Sequence, residues 1–207
     1  MYTIYGFFTF NAAKVLLTAE ELGLDYEYIA LDPTKGENKK PEHLARHPFG
    51  KIPVLEHNGN TFIESASICR YLSNVNGKRL YSDDPVKAAH IDQTVDMMAQ
   101  HIGRWMASYF WQEIVCNKLM GKDIDTSALA EAEGFLKQQL PYIDGLLGQN
   151  AYLCGDELTL ADIQAFAYCQ IQEKTSLDLS AYQNLMNWYG KFSERPSVAK
   201  VNPMVSL

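Results

Sequence analysis

Residues 51 to 72 read KIPVLEHNGNTFIESASICRYL, and their pattern gives the clearest indication of how the first part of the chain folds. Asn58-Gly59 favours a tight hairpin turn, because both residues tolerate the positive φ angles that such a turn requires. The apolar residues on either side therefore predict two paired strands, over 52–56 and 61–63. A helix from Ser65 to Leu72 is predicted to follow and to close the unit.

Upstream of this stretch, strand-like and helix-like patterns alternate. Tyr2 to Phe8 and Tyr26 to Leu31 are rich in β-branched and aromatic residues and predict strands. Between them, apolar residues recur at helical spacing, and Gly23 provides a C-terminal stop. A short helix over 41–47 starts with a proline, which suits a first helical position. The predicted order is β-α-β-α-β-β-α.

The second part of the chain contains no convincing strand pattern. Asp84-Pro85 resembles a helix cap followed by proline, and apolar residues then recur at helical spacing over 91–109. The same spacing over 129–147 predicts another helix, with a kink expected at Pro141. TLAD at 159–162 resembles a capping box that opens a further helix, and 182–192 predicts the last strong one.

These patterns predict an α+β protein with two domains. The first domain covers residues 1–76, a polar linker covers 77–84, and an all-α helical bundle covers 85–207. The 207 residues carry 18 Lys+Arg and 25 Asp+Glu, a net charge of −7. The stretch 1–80 is neutral, so the whole excess of acid lies in the second part. An acidic chain without a basic stripe argues against general nucleic-acid binding.

Four scattered cysteines and the start of the chain bear on the compartment. Cys69, Cys116, Cys154 and Cys169 show neither disulfide-scaffold nor zinc-type spacing, which is typical of a reducing compartment. The first residues lack the basic region of a signal peptide, and no apolar run is long enough to cross a bilayer. We expect a soluble, cytoplasmic protein.

The junction between the first strand and the first helix is a candidate site. Thr9 and Asn11 are ordinary helix-capping residues, and capping alone explains them about as well as function does. The same helix N-terminus has free N–H donors and partial positive charge, so it can also stabilise an anion such as a thiolate.

Two further positions allow a structural and a functional interpretation. Pro53 begins a strand, where an edge-strand proline is more common than a cis peptide bond. Glu64-Ser65 stands where a strand runs into a helix, as a cap would. The pair could equally bind the ammonium and carboxylate of an α-amino acid.

For the remaining candidate residues, the sequence favours a structural role over a functional one. His43 and His47 are four residues apart on a short helix, but no third ligand accompanies them, so we predict a solvated face and no metal. The aromatic cluster is predicted to be core, with any exposed part available to an apolar pocket. Its members are Trp105, Tyr109, Phe110 and Trp111.

Taken together, four segments closely resemble the soluble glutathione S-transferases. They are KPEHLARHPFGKIPVL at 40–55, FIESASICRYL at 62–72, GDELTLAD at 155–162 and RPSVAK at 195–200. The resemblance covers essentially the whole chain and is nearest to the phi class, with the theta and bacterial nu-like groups nearby. It implies a thioredoxin-like N-terminal domain, a helical C-terminal domain, a homodimer and glutathione as co-substrate, without a metal.

The resemblance also implies roles for individual residues. Pro53 would be cis and would let the Ile52 backbone pair with the cysteinyl unit of glutathione. Glu64 and Ser65 would bind its γ-glutamyl end. The glycyl carboxylate would be reached by Lys39, Lys51 and, less securely because many members have histidine there, Asn38. A small apolar electrophile would contact residues drawn from Phe10, Met106, Tyr109, Phe110 and Trp111.

The catalytic position departs from the phi pattern, which usually has serine where this chain has Thr9. Thr9-x-Asn11 resembles the nu-type pattern, in which disulfide reduction is favoured. Tyr5, which could suggest the tyrosine-type classes, lies within a predicted strand and ranks lower. We therefore expect a transferase whose thiolate is stabilised by Thr9 and Asn11. The alternatives are a glutathione-dependent disulfide or peroxide reductase and a non-catalytic glutathione- or ligand-binding protein.

Overall fold

A computed structural model describes residues 1–205, which divide into two compact units. The first unit is Met1–Ser82 together with the described residues from Arg195 onward, and the second is Asp83–Glu194. The last helix therefore groups with the first unit, whereas the sequence signals alone assign it to the second domain. The division into domains at residues 76 and 84 stays a prediction.

The first unit contains a four-stranded mixed sheet in the order β2-β1-β3-β4. The strands are β1 (Tyr2–Gly6), β2 (Tyr26–Ala30), β3 (Val54–His57) and β4 (Asn60–Ile63). β1 runs parallel to β2 and antiparallel to β3, and β3 pairs antiparallel with β4. The predicted hairpin turn is confirmed, since Asn58 and Gly59 have φ angles of 49° and 75°.

The first unit contains the helices α1 (Phe10–Leu22), α2 (Pro41–Arg46), α3 (Ser65–Val75) and, after the second unit, α9 (Pro196–Val201). α1 and α3 pack on the sheet, and α9 packs on α1. Gly23 ends α1 in the left-handed region at φ 68°, as the sequence predicts. Arg195 explains why α9 belongs here, because its guanidinium donates to both carboxylate oxygens of Glu21 on α1 at 2.7 Å.

The second unit is helical, apart from one isolated bridge between Tyr152 and Gly155. Its helices are α4 (Pro85–Met97), α5 (Gly103–Tyr109), α6 (Thr126–Gln149), α7 (Leu160–Cys169) and α8 (Gln183–Ser193). Asp84 caps α4 by accepting from the backbone N–H groups of Val86 and Lys87, as predicted. α6 continues on both sides of Pro141.

Two stretches are not regular α-helix, one within the helix that apolar spacing predicts over 91–109 and one directly after it. Met98–Ile102 and Phe110–Leu119 are π-helical. A π-turn adds a residue to the hydrogen-bonded ring without changing which residue types are apolar. The spacing therefore predicts the helices but not these segments.

The start of α7 is a capping box, which confirms the prediction made from TLAD at 159–162. The Asp162 carboxylate is fully buried and accepts from the Thr159 N–H and hydroxyl at 2.9 Å and from the Leu153 N–H at 2.8 Å. Burial nevertheless raises its pKa to about 6, against the lowering by these hydrogen bonds. The helix N-terminus is thus closed by an internal anion.

Across residues 1–205, no helix is both long and apolar enough to cross a membrane.

Candidate functional site

Strand register brings three chain junctions to one edge of the sheet. Tyr5 near the end of β1 pairs with Val54 at the start of β3, and Val54 also pairs with Ile63 at the end of β4. The junctions that follow β1, precede β3 and follow β4 therefore lie side by side. They carry Thr9, Pro53 and the Glu64-Ser65 pair, which the sequence analysis identified separately.

Thr9 is the N-cap residue of α1, with extended backbone angles and a half-buried side chain. Its Oγ1 accepts from the Ala12 N–H at 3.1 Å. An oxygen that accepts in this way keeps its own hydrogen for donation to another group. The first turn of α1 contains no acidic residue, so its partial positive charge is not offset locally.

Asn11 lies in the same turn and belongs to a polar network that the sequence did not predict. Its Oδ1 accepts from the Lys14 Nζ at 2.8 Å and from the Ser65 hydroxyl at 3.4 Å. The network therefore joins α1 to α3 across the site. Burial lowers the pKa of Lys14 to about 7, since its side chain is almost completely enclosed.

The peptide bond between Ile52 and Pro53 is cis, as the resemblance implied. Three consecutive carbonyls before it are held by side chains. Lys39 Nζ donates to the Phe49 carbonyl at 2.8 Å and Asn38 Nδ2 to the Gly50 carbonyl at 2.6 Å. His43 Nε2 hydrogen-bonds the Lys51 carbonyl at 2.8 Å. In this structure Asn38 and Lys39 thus fix the loop that precedes Ile52.

His43 and His47 are not on a solvated face, so that prediction is wrong. Each is only 2% exposed. His47 Nδ1 accepts from the Phe49 N–H at 3.2 Å, and His43 holds the Lys51 carbonyl. Both rings therefore shape the loop before Pro53. The residues described, 1 to 205, contain no cluster of His, Cys, Asp or Glu arranged to hold a metal.

Charged groups of the site converge on His47. Burial lowers the pKa of His47; the Glu64 carboxylate opposes this, and Lys51 and Lys39 reinforce it. Glu64 is exposed, and its backbone adopts φ 67°, a conformation that L side chains rarely adopt. The charges of Glu64, Lys51 and Lys39 are thus all felt at the buried His47 ring.

Tyr5 does not take part in this arrangement. Its hydroxyl donates to Glu56 at 2.7 Å, and the Arg46 guanidinium lies 4.3 Å from the centre of its ring. Burial, helped by Glu56, raises the pKa of Tyr5. This supports its low rank as a thiol-activating group.

The candidate pocket residues differ in exposure. Met106 is fully buried and Tyr109 nearly so, which makes both of them core residues in this structure. Trp111 is 53% exposed, so the prediction that it belongs to the core is wrong. Phe10 and Phe110 are half-buried. Trp105 is also half-buried and stacks on Phe135, with ring centroids 4.3 Å apart.

Comparison with known proteins now decides the family. Residues 1–74 match the glutathione S-transferase N-terminal domain, and residues 97–196 match the glutathione S-transferase C-terminal domain. The chain belongs to the glutathione S-transferase family. Glutathione S-transferase 1 of Zea mays is 30% identical over 202 residues, which are 96% of this chain and 94% of that protein.

Other relatives agree with this assignment. Glutathione S-transferase F11 of Arabidopsis thaliana is 31% identical, with 92% of each chain covered. The crystal structure of glutathione transferase F2 from Populus trichocarpa superimposes with a TM-score of 0.91 at 28% identity, with 99% of each chain covered. The plant relatives are phi-class transferases, as the sequence resemblance indicated. The thioredoxin-like N-terminal domain and the helical C-terminal domain are confirmed.

The roles of three buried residues of the site were not predictable from the sequence. His43 and His47 act through contacts with the loop before Pro53, which spacing does not reveal. Lys14 carried a weak signal, since it lies three residues after Asn11 and four before the buried Thr18 on one helix face.

Proposed function

We propose that this transferase ionises the thiol of glutathione at the N-terminus of α1 and joins the sulfur to a small apolar electrophile. One observation carries the proposal. Thr9 Oγ1 accepts from the Ala12 N–H at 3.1 Å, so its hydroxyl hydrogen is available to a sulfur at the positive end of a helix. Stabilisation of a thiolate by such a group is ordinary cysteine chemistry.

The size of the required effect is modest. A free thiol has a pKa of about 8.5, so only a few per cent is ionised at pH 7. Each unit of depression is worth about 1.4 kcal/mol and raises the ionised fraction up to about tenfold. The Thr9 hydroxyl, the Asn11 amide and the helix end together supply about two units. The thiol proton leaves to water, the sulfur bonds to the electrophilic carbon, and the leaving group departs.

The three junctions also provide the proposed contacts for the rest of the tripeptide. The Ile52 backbone pairs with the cysteinyl unit, Glu64 takes the γ-glutamyl ammonium, and Ser65 at the start of α3 takes its carboxylate. Lys51 and Lys39 attract the glycyl carboxylate. Asn38 contributes by holding the Gly50 carbonyl rather than by direct contact.

The electrophile is proposed to be small and apolar. A maize relative, glutathione S-transferase I, has been solved with an atrazine glutathione conjugate, at a TM-score of 0.89 and 29% identity over 99% of this chain and 97% of that one. Among the candidate residues, Phe10, Phe110 and Trp111 offer exposed aromatic surface. Met106 and Tyr109 are proposed only as support behind them.

Calorimetry and conjugation together test this function. We expect glutathione to bind, and an aryl halide to be conjugated faster with the protein than without it. S-methylglutathione should bind but give no product, because its sulfur has no ionisable proton. Binding of glutathione without turnover over a broad panel of electrophiles would favour the non-catalytic alternative. Absence of binding would overturn both.

A glutathione-dependent reductase is the second candidate. It is favoured by Asn11, whose Oδ1 is held by Lys14 and Ser65, so that its NH2 is oriented away from them. One amide donor and one hydroxyl donor beside the same sulfur would stabilise a thiolate that attacks a disulfide or a peroxide. Reduction of a small disulfide by glutathione should then be accelerated. A rate equal to the uncatalysed one removes this candidate.

We also propose a homodimer in a reducing cytoplasm. Phe49 is 67% exposed, and the nearby Leu44 is also exposed, which is unusual for large apolar side chains of a monomer. Across the described residues, which include all four cysteines, no disulfide forms. Phe49→Ser should shift sedimentation towards the monomer. Tyr142→Ser, which changes an aromatic of similar exposure on α6, should not.

A further inference from the structure

Lys14 is unusual because a lysine side chain is rarely enclosed by protein. It is 1% exposed, in the first half of α1. Its Nζ lies 2.8 Å from Asn11 Oδ1 and 5.1 Å from the centre of the Phe10 ring. The buried amino group thus lies directly behind the turn that carries Thr9 and Asn11.

The hydrogen-bonding capacity of lysine fixes which way the Asn11 amide points. The Lys14 amino group can donate to an amide oxygen in either protonation state, and its charged form, which is about half of the population near pH 7, has no lone pair and can face only that oxygen. The Ser65 hydroxyl donates to the same oxygen at 3.4 Å. With Oδ1 held in this way, Nδ2 must face another direction. In the described part of the chain, Nδ2 has no hydrogen-bond partner.

We propose that Lys14 is a positioning residue that turns the Asn11 NH2 group towards the sulfur of bound glutathione. This inference rests on the proposed function for its ligand, but the orientation itself belongs to the ligand-free protein. Without Lys14, the two ends of the amide compete for the inner position. An outward Oδ1 would repel a thiolate, whereas an outward Nδ2 stabilises it.

Stability alone does not account for a lysine at this position. Enclosing an amine removes it from water at a cost in free energy, and a methionine of similar length would fill the space without that cost. Burial lowers the pKa of Lys14 to about 7, which is the signature of that cost. A role in orienting Asn11 explains why the lysine is tolerated.

The first experiment measures the pKa of the bound thiol by the ultraviolet absorption of the thiolate over a pH series. Lys14→Met should raise the thiol pKa by about one unit, which is about a threefold loss of thiolate at pH 7. Thr18→Val is the matched control, since Thr18 is equally buried one turn further and its hydroxyl bonds the Lys14 carbonyl. It should leave the thiol pKa unchanged.

A double substitution separates positioning from direct charge. If Lys14 acts through Asn11, adding Lys14→Met to Asn11→Ala should raise the thiol pKa no further than Asn11→Ala alone. Additive shifts would mean that the Lys14 charge acts on the sulfur directly, and would overturn the proposal. An unchanged thiol pKa in Lys14→Met would overturn it as well.

The second experiment needs no ligand. The side-chain amide resonances of Asn11, assigned by their loss in Asn11→Ala, should be one sharp pair in the wild type and should shift or broaden in Lys14→Met. Unchanged resonances would refute the orientation even if catalysis holds. If glutathione binds nowhere while these resonances respond, the proposed function fails and the positioning of Asn11 stands.

Discussion

The N-termini of α1 and α7 begin alike and end up with opposite properties. Each has a threonine N-cap with extended backbone angles, φ −127° and ψ 149° at Thr9 and φ −129° and ψ 174° at Thr159. Three residues later, α7 has Asp162, whereas α1 has Ala12. The internal carboxylate of Asp162 closes α7, and α1 has no such group.

The buried ionisable side chains at the starts of α1 and α7 are also opposite in charge. A buried acid supports the start of α7, and a buried base, Lys14, supports the start of α1. The same cap can therefore begin either a helix whose N-terminus is closed by its own carboxylate or one that is open to an external anion. The first turn of α1 contains no acid, and this is why we propose the second outcome there.

Removal of the buried Asp162 carboxylate should give the largest change, a loss of stability. Asp162→Ala deprives the Leu153 and Thr159 N–H groups of their acceptor, so stability should fall by roughly 3 kcal/mol. Chemical denaturation measures this change. Conjugation per folded molecule should stay at the wild-type level at a permissive temperature; a specific loss of activity would contradict the purely structural role of α7.

Thr9→Ala should lower activity strongly and stability only slightly. Loss of the hydroxyl donor should raise the thiol pKa by about 1.5 units, the larger share of the proposed depression, and lower kcat/KM at pH 7 by about tenfold. Stability should fall by only about 1 kcal/mol, the usual cost of one cap. Thr9→Ser keeps the donor and serves as the control. Equal pH profiles for Thr9→Ala and wild type would remove Thr9 from its proposed role.

Lys14→Met should stabilise the protein by about 1–2 kcal/mol at pH 6, because it removes an enclosed amine. The sign follows from the lowered pKa of about 7 against the ordinary 10.5. Between these values the unfolded chain binds the extra proton, so wild-type stability rises with pH. The advantage of the variant should therefore shrink from pH 7 to pH 10 in urea unfolding. A constant difference would contradict the lowered pKa.

Asn11→Asp tests the smallest change, from an amide to a carboxylate of the same shape. The new charge suits both the helix N-terminus and Lys14, so stability should hold or rise slightly. It should repel the thiolate and lower kcat/KM at pH 7 by about tenfold. Unaltered activity would mean that Asn11 does not face the sulfur.

Local chemistry made much of the fold predictable from the sequence. The turn at Asn58-Gly59, the stop at Gly23 and the capping box at Thr159 each depend on residues close together in the chain. The π-helical segments are not predictable in this way, because their hydrogen-bond pattern leaves no mark on residue type. Nor is the place of α9, which depends on the long-range pair of Arg195 and Glu21.

The site was predictable only in part, for a similar reason. Thr9, Pro53 and Glu64-Ser65 stand at junctions that the sequence marks, and strand register brings them together. The roles of Lys14, His43 and His47 depend on which atom each side chain meets once folded. Spacing placed the two histidines on one helix face but could not tell that this face is enclosed.

The side chains that hold the Phe49, Gly50 and Lys51 carbonyls limit how a peptide can align with this chain. Those three acceptors are occupied, and Ile52 is the first residue whose backbone has no partner in the described structure. A ligand that slipped by one residue would meet occupied carbonyls and would turn its alternate side chains to the opposite side. In the proposed binding mode, the loop would therefore admit the tripeptide in a single alignment, with the cysteinyl sulfur at α1.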